Sequence, residues 1–331
     1  MQLIDKLLSQ IESQKLPPKR STLIVAVSGG VDSMSLLHLL IPLAARYDWR
    51  LVVAHLNHQL RRRAAGDEQW VKDMGHRLGL PVVTTRVAVK SLARQRKYTL
   101  EEAGRVARYD FLNRVAKRYR AKAIVVAHTA DDQAETVTMN WIRGAGVRGL
   151  SGMSEWQGII WRPLLRVTKA DLKQLSKTLH FGYREDETNR RVTYTRNRIR
   201  HQVLPLLRKV NPQINEVILR NAESLAGLGD LLDSYLIQSK KAVKFRRGRG
   251  AVSFRRAPFN KLHPYLQNEL LLRAVSEVLG DRQGYKTVHL SEMQKVINSK
   301  NKTSYKQLPG KLFLIKAYDK ISVSRFKPKD L

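Results

Sequence analysis

The sequence contains no cysteine among its 331 residues. This absence excludes a disulfide scaffold, a zinc or iron–sulfur site with cysteine ligands, and any cysteine nucleophile or sulfur carrier. A long apolar run is also missing, because no segment approaches the ~20 residues that cross a bilayer. The amino-terminal helix candidate carries Asp5, Lys6 and Glu12 among its apolar residues, unlike a secretory signal. These features predict a soluble, cytoplasmic protein without a membrane partner.

Negative charge is scarce in this chain. Aspartate and glutamate number 28 against 61 lysines and arginines, so the formal net charge is +33. Such an excess repels itself in a folded chain, and a polyanionic partner explains it best. Charge alone leaves tRNA, the ribosome, DNA and an anionic membrane open.

Short apolar segments alternate with helical patterns along the first part of the chain. Strand candidates lie at residues 22–27, 51–55, 81–89 and 123–127, and helix candidates at 34–43, 100–119 and 131–142. This alternation predicts an α/β fold with a doubly wound, mostly parallel sheet. Ligands of such sheets bind beyond the carboxyl ends of the strands, where the polar motifs of this sequence fall.

A change of pattern near residue 212 predicts two domains. Residues 1–212 form the α/β domain, and residues 213–331 form a smaller, mainly helical domain that is entered through a long amphipathic helix. A helix is predicted at 264–279. Two short apolar segments, 312–316 and 320–324, predict a hairpin near the end.

The sharpest motif follows the first strand candidate and consists of Ser28, Gly29, Gly30, Val31, Asp32 and Ser33. Glycines let the backbone approach a ligand closely, and the amides at the start of a helix attract an anion. Asp32 would repel a phosphate unless Mg²⁺ lies between them, so it predicts a metal–nucleotide complex. The structural alternative is a glycine turn with an Asp and Ser helix cap. We predict that residues 28–33 bind the nucleotide.

A cluster of acids follows the fourth strand candidate: Asp131, Asp132 and, one turn later, Glu135. The start of a helix favours carboxylates, so capping alone explains one of them. The cluster is denser than capping requires. Opposite a triphosphate, such acids can bind Mg²⁺, orient an ammonium group or accept its proton. We predict that all three are catalytic together with Asp32, and that Asp32 and Asp132 hold Mg²⁺.

Two further segments carry predictions with open alternatives. His55 and Asn57 end the second strand candidate and are predicted to shape the nucleotide pocket, while Arg61 contacts phosphate or RNA. A zinc site is disfavoured because no other His or Cys set accompanies these histidines. Arg105 is predicted to clamp a substrate carboxylate, although pairing with Glu101 one turn earlier explains it equally well.

Residues 185–200 are irregular in pattern and combine arginines with asparagines and a tyrosine. Guanidinium groups contact phosphates, whereas Asn and Tyr hydrogen-bond to or stack on unpaired bases. The basic run 240–256 predicts a second RNA contact on charge alone, and a solvated face is its alternative. The predicted RNA-binding residues in these segments are Asn189, Tyr194, Arg196, Asn197, Arg198, Arg200, Arg246, Arg247 and Arg249.

The order of these motifs resembles that of the tRNA(Ile)-lysidine synthase family, which belongs to the N-type ATP pyrophosphatases of the PP-loop superfamily. The resemblance rests on SGGVDS, AHLNHQLR, EEAGRVARYDFL, AHTADDQAET, RGAGVRGLSGM, WRPLL and RNRIRHQVLP. It covers roughly the first two thirds of the chain and is specific. Thr129 departs from it, because many relatives have a second histidine there, and we assign no catalytic role to that position.

The resemblance implies a two-step reaction with ATP, Mg²⁺, free L-lysine and an isoleucine tRNA that has a CAU anticodon. The C2 oxygen of the wobble cytidine would attack the α-phosphate and release pyrophosphate, and the lysine ε-amine would then displace AMP. The ε-amino group of free lysine has a pKa of about 10.4 and is protonated at neutral pH. Asp131 or Asp132 would therefore bind the ammonium and take its proton. The implied lysine ligands are Arg105, Asp131 and Glu135.

Two other functions stay open. An amide ligase that acts on a small molecule would share the phosphate loop but has no need of a charge of +33. An RNA-binding protein without catalysis is disfavoured by the intact acids. The tRNA thiolation enzymes with this loop typically carry sulfur or a cluster on cysteines, which are missing here. The oligomeric state is open, a homodimer included.

Overall fold

The computed structural model describes residues 2–60, 64–184, 195–280, 285 and 287–327. The chain divides into two compact units, Met1–Ala226 and Gly227–Leu331. This division falls inside a long helix, whereas the predicted boundary at residue 212 lies just before that helix. No helix in the described ranges is both long and apolar enough to cross a membrane.

The first unit is built on a six-stranded sheet with the order β3-β2-β1-β4-β6-β5. Its strands are β1 (Thr22–Ala26), β2 (Arg50–Asn57), β3 (Val82–Arg86), β4 (Ala123–Val125), β5 (Trp156–Gln157) and β6 (Ile160–Trp161). Neighbouring strands are parallel except for β5 and β6. The prediction of a mostly parallel sheet is therefore confirmed.

Helices cover both faces of this sheet. They are α1 (Gln2–Glu12), α2 (Val31–Tyr47), α3 (Ala64–Arg77), α4 (Val89–Arg96), α5 (Leu100–Arg118), α6 (Ala130–Ile142), α7 (Val147–Leu150), α8 (Lys169–Thr178), α9 (Thr195–Arg198) and α10 (Leu204–Val210). Alternate residues of β1 point to opposite faces. Leu23 and Val25 pack in the core cluster that includes α2, whereas Ile24 packs in the cluster that includes α5.

The strand order reverses at β1, which lies between β2 and β4. Val25 is in register with Val53 on one side and Val125 on the other. The segments that follow β1 and β4 therefore leave the same edge of the sheet side by side. In doubly wound sheets this switch point is where ligands bind.

The second unit combines helices with an antiparallel sheet in the order β7-β8-β11-β10-β9. Its helices are the end of α11 (Ile214–Ala242), α12 (Arg256–Asn260), α13 (Pro264–Leu279) and α14 (Thr287–Ile297); its strands are β7 (Arg246–Gly248), β8 (Ala251–Arg255), β9 (Thr303–Leu308), β10 (Leu312–Ala317) and β11 (Lys320–Ser324). The helix predicted at 264–279 and the terminal hairpin are confirmed. The other three strands were not predicted, although Val252 and Phe254 of β8 are buried in alternation with more exposed residues and so gave a local signal.

A buried ion cluster joins α3 to the sheet. The Glu68 carboxylate accepts hydrogen bonds from Asn57 Nδ2 (3.1 Å), Lys72 Nζ (2.9 Å), Thr84 Oγ1 (3.3 Å) and Arg86 Nε (2.7 Å). Burial by itself raises the pKa of Glu68. The bonds from Arg86, Lys72 and Asn57 outweigh burial and bring this pKa down to about 2.

We predict that Glu68→Gln lowers the free energy of unfolding by about 2 kcal/mol at neutral pH. Because the native pKa is depressed, the ionised carboxylate contributes fully above its ordinary pKa of 4.5 and loses its contribution as the pH falls toward 2. The difference between parent and variant should therefore shrink from about pH 5 to about pH 3 in urea unfolding. Asp73→Asn, an exposed change on the same helix, is the control. A difference that does not vary with pH would contradict the assignment.

Candidate active site

A sharp turn joins β1 to α2. Gly29 lies in this turn with a φ of +91°, a conformation that side chains disfavour. Gly30 is the N-cap of α2 and contributes no side-chain hydrogen bond to the helix. The first amides of α2 have no acceptor within the helix, so they are suited to bind an anion.

Ser28 and Ser33 hold the turn together. Ser33 Oγ donates to the carbonyl of Gly30 (3.0 Å) and accepts from the amide of Ser28 (3.2 Å). Ser28 Oγ accepts from the amide of Gly30 (3.3 Å) and lies 3.2 Å from Ser33 Oγ. Both hydroxyl groups therefore shape the turn that was predicted to bind the nucleotide.

His55 supports the same turn from β2. Its Nδ1 lies 2.8 Å from the carbonyl oxygen of Val27, and because a carbonyl only accepts, Nδ1 carries a proton. Burial lowers the pKa of His55. Asn57 donates to Glu68 and accepts from the amide of Gln59 (3.0 Å). Of the two predicted pocket residues, His55 thus supports the turn of residues 28–33, which we call the phosphate turn after its predicted ligand, and Asn57 belongs to the ion cluster at α3.

Asp132 lies in the first turn of α6 and forms a capping box with the N-cap residue Thr129. Its Oδ2 accepts from the amide (3.0 Å) and the hydroxyl (2.8 Å) of Thr129, which in turn caps the helix, so capping does apply to this acid. Oδ1 faces three cations: Arg196 (3.2 Å), Arg200 (3.4 Å) and Lys169 (3.8 Å). Burial raises the pKa of Asp132, but Lys169, Arg196 and the Thr129 amide outweigh burial and lower it to about 2.

Glu135 lies one turn further along α6 and is only 2% exposed. Arg196 Nε donates to its Oε2 (2.9 Å), and Arg200 donates to Oε1 (2.5 Å) and Oε2 (2.9 Å). Arg196 lies on α9, and Arg200 lies on the π-helical turn Ile199–Val203 that follows it. Two residues that were predicted to bind RNA are therefore ion-pair partners of the predicted catalytic acids.

Asp131 anchors α8. Its Oδ2 accepts from the backbone amide of Lys169 (2.8 Å), the first residue of that helix. Its Oδ1 lies 3.5 Å from Asn215 Nδ2 and 3.7 Å from Arg208 Nη2. Asp131 thus fixes the position from which the Lys169 side chain extends.

The Lys169 ammonium stands between two of the acids. Its Nζ lies 3.6 Å from Asp32 Oδ2 and 3.8 Å from Asp132 Oδ1. The other oxygen of Asp32, Oδ1, is buried and has no hydrogen-bond partner. Burial raises the pKa of Asp32, the charge of Lys169 lowers it, and the charges of Asp132 and Asp131 raise it.

This arrangement fits a divalent cation that arrives with a nucleotide. In the described part of the chain, no three His, Asp or Glu side chains form a ready metal site. Mg²⁺ commonly uses one or two carboxylates together with substrate phosphates and water. Asp32 has an unpartnered buried oxygen and satisfies that requirement, whereas Asp132 would join it by exchanging one of the cations at its Oδ1.

Arg105 is exposed on α5, where its guanidinium carbon lies 5.8 Å from the ring centroid of Tyr109. No ion pair with Glu101 is found within the described ranges. Burial lowers the pKa of Arg162, Tyr109 raises it through its charge and a side-chain hydrogen bond, and the charge of Arg105 lowers it. This basic group is compatible with binding a carboxylate or a phosphate.

The amino-acid sequence of this chain is similar to those of known proteins. A family profile described as a PP-loop domain matches residues 2–207. The chain is 35% identical over 311 residues to a tRNA(Ile)-lysidine synthase of Geobacter sulfurreducens, a match that covers 91% of this chain and 64% of that protein. It is 33% identical over 322 residues to one of Dehalococcoides mccartyi, covering 94% and 68%. The chain belongs to the tRNA(Ile)-lysidine synthase family.

Within the tRNA(Ile)-lysidine synthase family, this chain spans 64% and 68% of the length of the two curated relatives. Its fold is similar to that of a solved U34-tRNA thiolase from Methanococcus maripaludis, with a TM-score of 0.56 and 18% identity. That match covers 67% of this chain and 78% of the other. At this identity the likeness concerns the fold alone. The predicted family and its PP-loop fold are thereby confirmed.

The residues that were predicted to bind tRNA lie in three separate parts of this chain. Arg61, Asn189 and Tyr194 lie outside the described residues. Asn197 and Arg198 lie on α9, the former half-buried and the latter exposed. In the second unit Arg246, Arg247 and Arg249 are all exposed, and Arg247 donates to Glu277.

Lys169 is the member of the site that sequence reasoning missed. A local signal was present, because Thr168 and Asp171 form a capping box that marks the start of α8. Nothing local, however, indicates that the lysine at such a helix start would meet acids from two other helices. The contact arises from the sheet, which brings α2, α6 and α8 to one edge.

We predict that Lys169→Met raises the pKa of Asp32 further above its ordinary value, because the ammonium now lowers it. The carboxyl ¹³C shifts of aspartate-labelled protein would report this titration, with Asp32→Asn identifying the signal. Lys169→Arg should preserve the parent titration, since it keeps the positive charge. Lys173→Met, an exposed change on the same helix, is the matched control. An Asp32 titration that Lys169→Met leaves unchanged would refute the contact.

Proposed function

We propose that this protein adenylates the wobble cytidine of an isoleucine tRNA with a CAU anticodon and joins free L-lysine to it, forming lysidine. The observation that carries the proposal is the glycine turn of residues 28–33 before α2, which lies at the sheet's switch point beside the Asp32–Lys169–Asp132 contact. Membership of the tRNA(Ile)-lysidine synthase family supports the choice of substrates.

In the first step the cytidine C2 oxygen bonds to the α-phosphorus, and pyrophosphate leaves. The amides of the glycine turn and the start of α2 stabilise the negative charge on the phosphates. Asp32 and Asp132 would hold Mg²⁺, which neutralises phosphate charge when it is bound. Lys169 adds a fixed positive charge between these acids and limits their mutual repulsion.

In the second step the lysine ε-nitrogen bonds to C2, the C2–O bond breaks, and AMP leaves with that oxygen. The attacking ammonium must first lose a proton. Asp132 is a weak acceptor because its pKa is about 2, and both Glu135 oxygens are engaged by arginines. We therefore assign proton acceptance to Asp131 and carboxylate binding to Arg105. The lysine ammonium would approach Glu135 only by exchanging with an arginine.

Incubation with ATP, labelled L-lysine and tRNA, followed by nucleoside analysis, tests this function. We expect lysidine in the CAU tRNA, none in the same tRNA with uridine at the wobble position, and pyrophosphate release that requires tRNA. Asp32→Asn should lower the rate by about 10²- to 10³-fold, since it removes charge at the reacting phosphate. Asp48→Asn, an exposed change at the other end of α2, should have no effect.

Two other outcomes would reject the proposal. Pyrophosphate release that needs a small metabolite but no tRNA would identify an amide ligase of the same loop class. Binding of tRNA without any pyrophosphate release would identify an RNA-binding protein without catalysis.

The basic edge of the second unit is proposed to contact the tRNA backbone. Arg246 on β7 and Arg249 after it are exposed, and neither has an ion-pair partner in the part of the chain that the structure describes. Arg247 differs, because it shares Glu277 with Lys240 (2.7 Å). Unbalanced surface cations are those that release counter-ions when they meet phosphates.

We predict that the double change Arg246→Ala and Arg249→Ala weakens tRNA binding and reduces the slope of log affinity against log salt by about two. Fluorescence anisotropy between about 50 and 200 mM salt would measure both effects. Arg255→Ala is the matched control, because Arg255 is already paired with Asp319 (2.9 Å). If the slope does not change, this edge is only a solvated face.

A further inference from the structure

A buried arginine without an anionic partner lies directly after β6. Arg162 is 2% exposed and belongs to the WRPLL motif, to which sequence reasoning gave no role. Its Nη1 donates to the carbonyl of Ser154 (3.0 Å), its Nη2 to Gln157 Oε1 (2.9 Å) and its Nε to His128 Nδ1 (3.3 Å). These three acceptors are uncharged, the Tyr109 side chain also hydrogen-bonds to the guanidinium, and no carboxylate pairs with Arg162 in the described ranges. Buried charges are usually paired, so this placement requires an explanation.

The bond to His128 fixes the tautomer of that histidine. A guanidinium group has only donors and stays protonated at any ordinary pH. His128 Nδ1 therefore accepts and carries no proton, which places the proton of the neutral ring on Nε2. No protein acceptor for Nε2 is found among the described residues, and His128 itself is only half-buried. The Nε2–H group is thus a donor available to a ligand.

The charges around His128 also keep its ring neutral. Burial has the largest influence and lowers its pKa. Asp132 on α6 raises it, and Arg162 after β6, Arg196 on α9 and Arg108 on α5 lower it, with a resulting pKa of about 4. With the lone pair of Nδ1 engaged by Arg162 and Nε2 protonated, neither nitrogen has a free lone pair with which to take a proton at neutral pH.

We infer that Arg162 is a positioning residue that presents His128 Nε2–H as a neutral hydrogen-bond donor to a phosphate oxygen of the substrate. His128 follows β4 at the same sheet edge as the turn of residues 28–33, so a phosphate oxygen is the anionic group of the proposed reaction that we expect there. Naming phosphate rests on the proposed function. His128 forms and breaks no covalent bond, and the proton of the attacking lysine goes to a carboxylate.

Nitrogen NMR of protein with ¹⁵N-labelled histidine tests the tautomer without any substrate. The chain has nine histidines, and loss of one signal in His128→Gln identifies the resonance. We expect the parent to keep the Nε2–H form from about pH 5.5 to pH 8. In Arg162→Met the proton is free to move to Nδ1, and the ring should titrate nearer the ordinary value of about 6.5. Arg166→Met, an exposed change in the same segment that breaks only an ion pair with Glu223, should leave the signal as in the parent.

If His128 of the unmutated protein carries its proton on Nδ1, or titrates with a pKa of about 6.5, the inference is overturned. This result does not require that Arg162→Met folds. Since the spectrum needs no substrate, its outcome does not depend on whether lysidine is made. Failure of the parent to form lysidine would reject the proposed function and would leave the measured tautomer standing. The two failures are therefore distinguishable.

A kinetic cycle tests whether Arg162 acts through His128. His128→Phe removes the donor and should lower the rate of pyrophosphate release by about 10²-fold, whereas His128→Gln keeps an amide donor and should lose less. Arg162→Met should lower kcat by about tenfold in the parent, because the donor is no longer aimed. In a protein that already carries His128→Phe, Arg162→Met should lower kcat by less than about twofold. Fully additive losses would show that Arg162 acts independently of His128 and would refute the inference.

Discussion

Charge balance around the start of α6 is the interaction on which the rest of the candidate site depends. Removing a carboxylate from water costs several kcal/mol unless cations and donors replace the lost hydration. Arg196 and Arg200 reach Asp132 and Glu135 from a segment more than sixty residues later. Lys169 and the N-cap threonine of α6 add to this replacement at Asp132. Packing of α9 and the π-helical turn on α6 thus brings the two arginines to both acids.

The same carboxylates have two kinds of partner at once. One oxygen of Asp132 caps α6 through Thr129, and the other faces the cations. Capping therefore uses one atom of this side chain and leaves the other to the cations, so capping does not exclude the catalytic role, which stays a prediction. Asp131 also has a structural contact, because its carboxylate accepts a hydrogen bond from the first amide of α8. This contact places the Lys169 side chain between Asp32 and Asp132.

Two histidines of the first unit, His55 and His128, are neutral rings held in one orientation by a hydrogen bond to Nδ1. His55 donates to a carbonyl beneath the phosphate turn, and His128 accepts from a buried arginine. In both cases burial is the main cause of the lowered pKa. A neutral ring with a fixed tautomer adds a directed donor without adding to the large positive charge of the chain.

The sequence by itself determined every feature that depends on neighbours along the chain. Short apolar runs located β1, β2 and β4, glycines marked the turn before α2, and adjacent acids marked the start of α6, since these signals arise within a few residues. The relation to tRNA(Ile)-lysidine synthases was readable for the same reason, as it rests on short contiguous motifs. The two-residue strands β5 and β6 were missed because so short a segment has no periodicity.

Only the tertiary structure decided which charges meet. Lys169 with Asp32, Arg200 with Glu135 and Arg162 with His128 join residues that lie 34 or more positions apart, and such pairs leave no pattern in local sequence. The strand order of the sheet brings them to one edge, and that order follows from the packing of many apolar residues together. The residue types that the chemistry needs are written in the sequence, whereas their partners, protonation and direction are set by the fold.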